Sequence, residues 1–336
     1  MNNRKRKVTL KDIARELSLT PATVSKALRD FNDISEETKL RVKEKCKEMG
    51  YRPNILARSL ITNKSKILGV LIPDLRISFF SEAVRGMYEE ASNKGYECLL
   101  MVHDEDSIKE RKKIEFLSDI GVDGLLLNAA GGDENYQLYK NLDEEGIKIV
   151  CWDRKIDELP FISVKIDDVD AAYELTSEMI KEGRRNILFL GPNTLIPVCR
   201  DRFIGYQKAL KDFGIEFNPD LVLQTFRSIE DSYKKMTDLL ESGIKIDAVI
   251  SIGGLITYGA GKAILDKNLS IPDDILLGEF GDNTIVARLG VPYYTVDQNP
   301  YLIGKTATDM LIDILENKKS YEDFSDVFVQ YKIVKR

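Results

Sequence analysis

From Lys66 onward the apolar residues alternate between two textures. Short runs with almost no polar interruption, of which Ile67–Pro73 is the first, are followed by longer stretches whose apolar positions recur every three or four residues. A continuous apolar run reads as a parallel strand buried on both faces, and the longer stretch as the helix that covers it. On this pattern strands are predicted at Ile67–Pro73, Tyr96–Met101, Asp123–Leu127 and Lys148–Trp152, with helices over Phe80–Asn93, Ser107–Asp119 and Glu134–Glu145. A second series has strands at Asn186–Leu190, Leu221–Leu223, Asp247–Ile252 and Ile275–Leu277, and helices over Asp168–Glu182, Asp201–Phe213, Ile229–Glu241 and Ile256–Lys267. Two such series in succession predict two doubly wound α/β lobes. Ligands are favoured where the carboxyl ends of the two sets of strands face each other.

The stretch before Lys66 is patterned for helices alone. Thr9-Leu10-Lys11-Asp12 has the form of a capping box, and Ile13, Ala14 and Leu17 follow at helical spacing. Ser18-Leu19 breaks that pattern just before Thr20-Pro21, where Thr20 suits an N-cap and Pro21 the first helical position. The second helix would bury Val24, Ala27 and Leu28 and leave Pro21, Ala22, Thr23, Ser25, Lys26 and Arg29 largely outward. Ser35-Glu36-Glu37-Thr38 caps a third helix, with Leu40, Val42, Cys46 and Met49 as its inner stripe. Two helices separated by so short a turn form a helix-turn-helix, whose second helix can enter the major groove of DNA.

Charge divides the chain in the same place. Residues 1–66 hold 17 Lys/Arg against 8 Asp/Glu, a net of +9, and the remainder 32 against 47, a net of −15, together the overall −6. A basic headpiece on an acidic body fits phosphate contacts at one end only, although Arg4-Lys5-Arg6-Lys7 taken alone also fits a solubilising tail. The 336 residues exceed what one core usually holds, so two or three domains are expected. No run reaches the roughly eighteen uncharged apolar residues of a membrane span, and the polar N-terminus has no signal-peptide core, so no membrane partner and a cytoplasmic location are expected. Cys46, Cys98, Cys151 and Cys199 are widely spaced, which suits buried thiols better than disulfides or zinc ligands, and no metal or cofactor is expected.

Enzymatic chemistry finds little support. His103 is the single histidine and has no partner in sequence. Gly259-Ala260-Gly261-Lys262 hints at a phosphate loop, but the earlier glycine and the Ser/Thr are missing, and the string lies inside a predicted helix.

Four blocks in register, Thr9–Ala14, Thr20–Leu28, Gly50-Tyr51-Arg52-Pro53-Asn54 and Ala57-Arg58-Ser59-Leu60, closely resemble the lactose/galactose repressor family of bacterial transcription regulators. The resemblance implies a helix-turn-helix headpiece over 1–52, a hinge helix and linker over 53–66, and a periplasmic-binding-protein-like two-lobed α/β core over 67–336. Lobe 1 would take approximately 67–163 and 298–323, and lobe 2 approximately 164–297 and 324–336, with crossings near Ile162–Lys165, Tyr294–Asn299 and Tyr321–Asp326. It further implies a homodimer on a near-palindromic double-stranded operator, with paired hinge helices in the minor groove, Ala57 against its floor and Leu60 as the wedge between base pairs. Lys26 can donate to guanine, while Pro21 and Ala22 offer only apolar contact. Thr9, Thr23 and Ser25 suit phosphates, Arg29 serves either purpose, and Leu10 and Thr20 complete the DNA-facing set. The C-terminal Val327–Arg336 has no heptad tail, which argues against a tetramer built on a C-terminal coiled coil.

For the effector the resemblance points to Arg202, three residues before Gly205, to Asp153 at a strand's carboxyl end, and to Phe79 or Phe80 as an aromatic wall. For Arg202, pairing with a nearby carboxylate is the competing reading; for Phe80, core packing. Two departures stand out: Gly253-Gly254 replaces an Asn-Asp pair of sugar-responsive members, and Phe280-Gly281-Asp282 replaces Phe-Asp-Asp. Were Arg154, Arg200 and Arg202 all to face the cleft, a sugar acid or sugar phosphate would be favoured over a plain sugar; salt bridges for two of the three are the equal alternative. The reading is a ligand-responsive regulator of carbohydrate-related genes, in which effector-driven lobe closure decides whether the hinges pair. A cytoplasmic small-molecule receptor without a DNA role is the alternative.

Overall fold

The computed structural model describes residues 8–51, 64–191, 196–226, 228–281 and 283–336. The chain divides into two compact units, Met1–Ser65 and Lys66–Arg336. Ala57, Leu60 and Asp282 fall outside the described residues, as do the Arg4–Lys7 run and most of the expected hinge.

In the first unit, α1 (Leu10–Leu17), α2 (Pro21–Leu28) and α3 (Glu36–Met49) pack around Ile13, Ala14, Val24, Ala27, Val42 and Cys46. The expected caps form. The Thr9 hydroxyl accepts the Asp12 N–H at 3.3 Å while the Asp12 carboxylate accepts the Thr9 N–H at 2.9 Å. Thr20 and Ser35 accept the Thr23 and Thr38 N–H groups at 3.1 and 3.3 Å. Ser18, at φ 56, turns the chain between α1 and α2. One expectation fails. Leu40 is 60% exposed, and Lys39 takes the inner position, its stem buried and its ammonium 2.6 Å from Glu36. Leu40 lies two residues before Val42, about 200° around a helix, so the two cannot share a face, whereas Lys39, Val42 and Cys46 can.

The second unit holds two six-stranded sheets. The first contains β1 (Ile67–Ile72), β2 (Glu97–Val102), β3 (Gly124–Leu127), β4 (Lys148–Trp152), β5 (Ser163–Lys165) and β11 (Val327–Phe328) in the order β11-β5-β4-β3-β1-β2, all parallel. The second contains β6 (Ile187–Gly191), β7 (Val222–Gln224), β8 (Ala248–Ser251), β9 (Leu276–Phe280), β10 (Tyr294–Asp297) and β12 (Lys332–Lys335) in the order β12-β10-β9-β8-β6-β7. Only β12 runs antiparallel in it. The first lobe is covered by α4 (Ser78–Asn93), α5 (Ser107–Asp119) and α6 (Tyr136–Glu144). The second has α7 (Asp168–Lys181), α8 (Pro197–Asp212), α9 (Ile229–Glu241), α10 (Gly254–Asp266) and the short α11 (Asn283–Val286). Gly259–Lys262 lies inside α10, so it is no phosphate loop.

Helix α12 (Pro300–Leu315) follows β10 of the second sheet but packs on α4, β3 and β4 of the first lobe. The contact is closer than any Cβ permits: one on Gly304 would stand 1.9 Å from the Ala83 carbonyl oxygen, and one on Gly86 2.2 Å from that of Tyr301. The chain therefore crosses between lobes at 166–167, 298–299 and 329–331. The third crossing is later than Tyr321–Asp326, because Val327–Phe328 still pairs with β5. The first lobe thus extends past residue 323 through Phe328, and 324–336 does not belong wholly to the second. A two-residue strand offers no alternation by which a sequence could announce it.

Candidate functional site

In both sheets the loops after the central strands project to the same side, where the three crossings also lie. The exit from β1 leads through Ile77 into α4, that from β4 to Asp153 and Arg154, and that from β8 to Gly253 and Gly254, while β9 ends on Phe280. Together with the first turn of α8 and Gln298 from the second crossing, they enclose a cavity of about 50 Å³. Its first-lobe wall is aromatic. Phe79 stacks on Trp152 (centroids 6.4 Å apart, planes 22°) and Phe80 meets both rings edge-on. Phe80 lines the cavity and is also part of the core.

Arg202 is the polar centre. Its Nε donates to Asp168 at 2.8 Å, Nη1 to the Ile252 carbonyl at 3.2 Å and Nη2 to Gln298 Oε1 at 3.0 Å, while its guanidinium lies 4.1 Å over the Phe280 ring. Arg202 lines the cavity and pairs with a buried carboxylate, as its competing reading had it. Burial pushes the Asp168 carboxyl up to about 6, the largest influence, against the opposing pull of Arg202. Asp153, at φ 62, accepts from Asn128 Nδ2 at 3.1 Å. Arg154 is 2% exposed and held by Glu105 through both terminal nitrogens, at 2.7 and 2.6 Å. Burial opposes its charge, but Glu105 prevails and the guanidinium stays firmly protonated.

Arg200 corrects the expectation that it reaches this cavity. It is not in the inner wall; its side chain is about half exposed and pairs with Asp157 (3.1 Å) and Asp201 (3.0 Å). All three arginines are thus matched by carboxylates, and the condition that would have favoured an anionic effector is not met. The two glycine departures differ physically. Gly281 has φ +84, and a Cβ there would come within 2.4 Å of Gln298 Nε2, so Gln298 occupies the space of the missing side chain. Gly253 is extended (φ 177), and a Cβ on it would meet nothing within 4 Å, so it leaves open room beside α10. Sequence reasoning missed Asp168, Phe280 and Gln298. Asp168 bears the ordinary signature of a first-turn helix residue, and Gln298 matters only because a crossing places it there. His103 is fully buried and bonded to the Asn128 carbonyl at 2.9 Å, a structural position.

In the first unit, Pro21 and Ala22 at the start of α2 are exposed, while Thr23, Ser25, Lys26 and Arg29 are half-buried. Lys26 pairs with Asp33, the Thr23 hydroxyl with that of Thr20 at 2.8 Å, and Arg29 lies 4.8 Å over Phe31. Leu10, partly buried, packs against the headpiece core.

A trihelical unit with an accessible second helix, joined to a two-lobed body with a largely apolar cavity between its sheets, defines a ligand-responsive DNA-binding regulator. Residues 9–54 match the bacterial regulatory proteins of the lacI family, and residues 65–335 match the periplasmic binding proteins and sugar binding domain of LacI family. The chain belongs to the LacI family of bacterial transcriptional regulators, which are not enzymes. It is 33% identical to the HTH-type transcriptional regulator RegA of Clostridium saccharobutylicum, covering 98% of each chain. It is 27% identical to the regulator MalR of Streptococcus pneumoniae, covering 98% of this chain and 99% of that one. Among solved structures, a lac repressor dimer bound to operator and the anti-inducer ONPF superposes with a TM-score of 0.87 at 21% identity, over 98% of both chains. Among the described residues no helix is long and apolar enough to cross a membrane.

Proposed function

We propose that the protein is a homodimeric, cytoplasmic repressor of carbohydrate-related genes that binds a near-palindromic operator and responds to a neutral sugar in the interlobe cavity. The observation that carries the ligand class is the pairing of Arg154, Arg200 and Arg202 with carboxylates. At the buried Arg154 and Arg202 a phosphate or carboxylate ligand would have to break an existing ion pair to gain one, whereas a hydroxyl, donor and acceptor at once, can add to it. Phe79 and Phe280 supply apolar faces for a sugar ring, and Asp153 and Arg202 the polar contacts. The open space at Gly253 admits ligand where other members place a side chain. On DNA, Lys26 is the base-reading donor once released from Asp33, Pro21 and Ala22 make apolar contacts, and Thr9, Thr20, Thr23, Ser25 and Arg29 surround the backbone. Ala57 and Leu60 act at the operator centre.

The test is a gel shift on the DNA upstream of the protein's own gene at stated salt, paired with a thermal-shift screen of sugars, sugar acids and sugar phosphates. Site-specific retardation modulated by a neutral sugar is expected. Specific retardation with stabilisation only by sugar phosphates would overturn the ligand class, and stabilisation without retardation would favour a receptor with no DNA role.

A further inference from the structure

Beside the inner cavity lies a second one of about 300 Å³, formed where the glycine-bearing segment after β3 faces the segment after β4 and the first turn of α8. The two share a wall. Arg154 lines both, and the consecutive residues Val198 and Pro197 line the inner and the outer one. The inner space alone, about 50 Å³, falls well short of the roughly 300–1,000 Å³ of ordinary ligand sites, and the two together reach that range. Arg154 is 2% exposed, and its Nε, buried without a hydrogen-bond partner, faces the Asp153 carboxylate at 3.9 Å on the partition between the two spaces.

The chemistry of the outer cavity is balanced rather than charged. Arg154 is held by Glu105, Lys155 by Asp326, and Arg200 by Asp157 and Asp201. Asp133 and Glu158 add acceptors, and the half-buried Tyr136 presents a ring while its hydroxyl donates to Glu158 at 2.9 Å. Donor-only guanidinium and ammonium groups interleaved with acceptor-only carboxylates are satisfied together by hydroxyls, which donate and accept. A ring in such a wall adds a stacking face for a sugar.

We propose that the outer cavity is a second saccharide subsite and that the effector is a linear oligosaccharide of at least two rings, the first in the inner cavity and the next against Tyr136. This rests on the reading of the inner cavity as a sugar site. Arg154 bridges the two units of the ligand at their linkage.

The test is calorimetric titration of the full-length protein with glucose, galactose, mannose and xylose and with their α-1,4- and β-1,4-linked disaccharides, for the native protein and for Tyr136→Ala and Tyr136→Phe. One disaccharide is expected to bind at least about tenfold more tightly than its monosaccharide. Tyr136→Ala should remove that gain and leave monosaccharide affinity within about twofold, while Tyr136→Phe, which keeps the ring, retains most of it. A merely structural role for Tyr136 would weaken both ligands together. The inference is overturned if no disaccharide exceeds the best monosaccharide, or if Tyr136→Ala weakens both equally. Should monosaccharides bind without any gain from a second ring, only the outer subsite is lost; should neither class bind, the sugar reading falls with it.

Discussion

Replacing Arg202 by methionine keeps most of the side chain's length and removes its charge and donors, and the consequences can be worked from its surroundings. Two hydrogen bonds to uncharged acceptors, the Ile252 carbonyl and Gln298, are lost, each worth about 1 kcal/mol net. The third partner, Asp168, is 2% exposed and its carboxyl already sits at about 6 instead of 3.8. At about 1.4 kcal/mol per pH unit, that elevation costs the native protein about 3 kcal/mol at neutral pH. Without the guanidinium the carboxyl stays protonated at pH 7, which for a group of ordinary value 3.8 costs about 4 kcal/mol. Asp168 therefore adds about 1 kcal/mol, for a total loss of about 3 kcal/mol at pH 7. The sign with pH follows from the raised value. In the native protein the folded state holds its proton longer than the unfolded chain, so the cost of Asp168 grows as pH rises from about 4 to 6 and then levels off. In the variant it keeps growing past 6. The gap between the two proteins should accordingly be about 1 kcal/mol larger at pH 7 than at pH 5. Urea unfolding followed by the fluorescence of Trp152, the single tryptophan and fully buried in the core, measures this directly. A loss under about 1 kcal/mol at pH 7, or a gap that widens toward acid, would refute the account of this ion pair.

The same Arg202→Met substitution should abolish the sugar response while leaving operator affinity intact, and Leu60→Ala should do the reverse; fluorescence anisotropy of labelled upstream DNA, with and without sugar, separates the two. Gly304→Ala places a methyl carbon against the Ala83 carbonyl, at 1.9 Å before relaxation, and should cost about 1–3 kcal/mol in urea unfolding. A loss under about 0.5 kcal/mol there would mean that α4 and α12 separate easily. Thr9→Ala removes the hydroxyl arm of the α1 capping box while the residue's backbone N–H can still donate to the Asp12 carboxylate, and should cost about 1 kcal/mol, seen as an approximately fivefold fall in hydrogen-exchange protection of the α1 amides. Unchanged protection would show the box to be idle.

Much of the candidate site is readable in the chain because each piece rests on local geometry. Asp153 follows an apolar run that can only be a buried strand, so it stands at a strand's carboxyl end. Arg202 is placed by its distance from Gly205, whose Cβ would come within 2.1 Å of the Val169 carbonyl, a close approach of α8 to α7. The pairing of the arginines was not readable. Glu105 lies 49 residues before Arg154 and Asp168 34 before Arg202, and nothing local distinguishes them from any surface carboxylate. That Leu40 faces outward and Lys39 inward was in principle available from helical phase, and was obscured by apolarity alone.

Local capping, helical spacing and the alternation of apolar runs with amphipathic stretches determined by themselves that three short helices precede two strand-and-helix series, because each of those signals is complete within a few residues. Tertiary structure alone decided that α12 returns to the first lobe, that Val327–Phe328 stays with it, and that Gln298 fills the place of an absent side chain at Gly281. It also decided the electrostatic character of the cleft. Whether a buried arginine is free to bind an anion depends on which distant carboxylate the fold carries to within about 3 Å of it, and that distance does not exist until the lobe that carries both has folded.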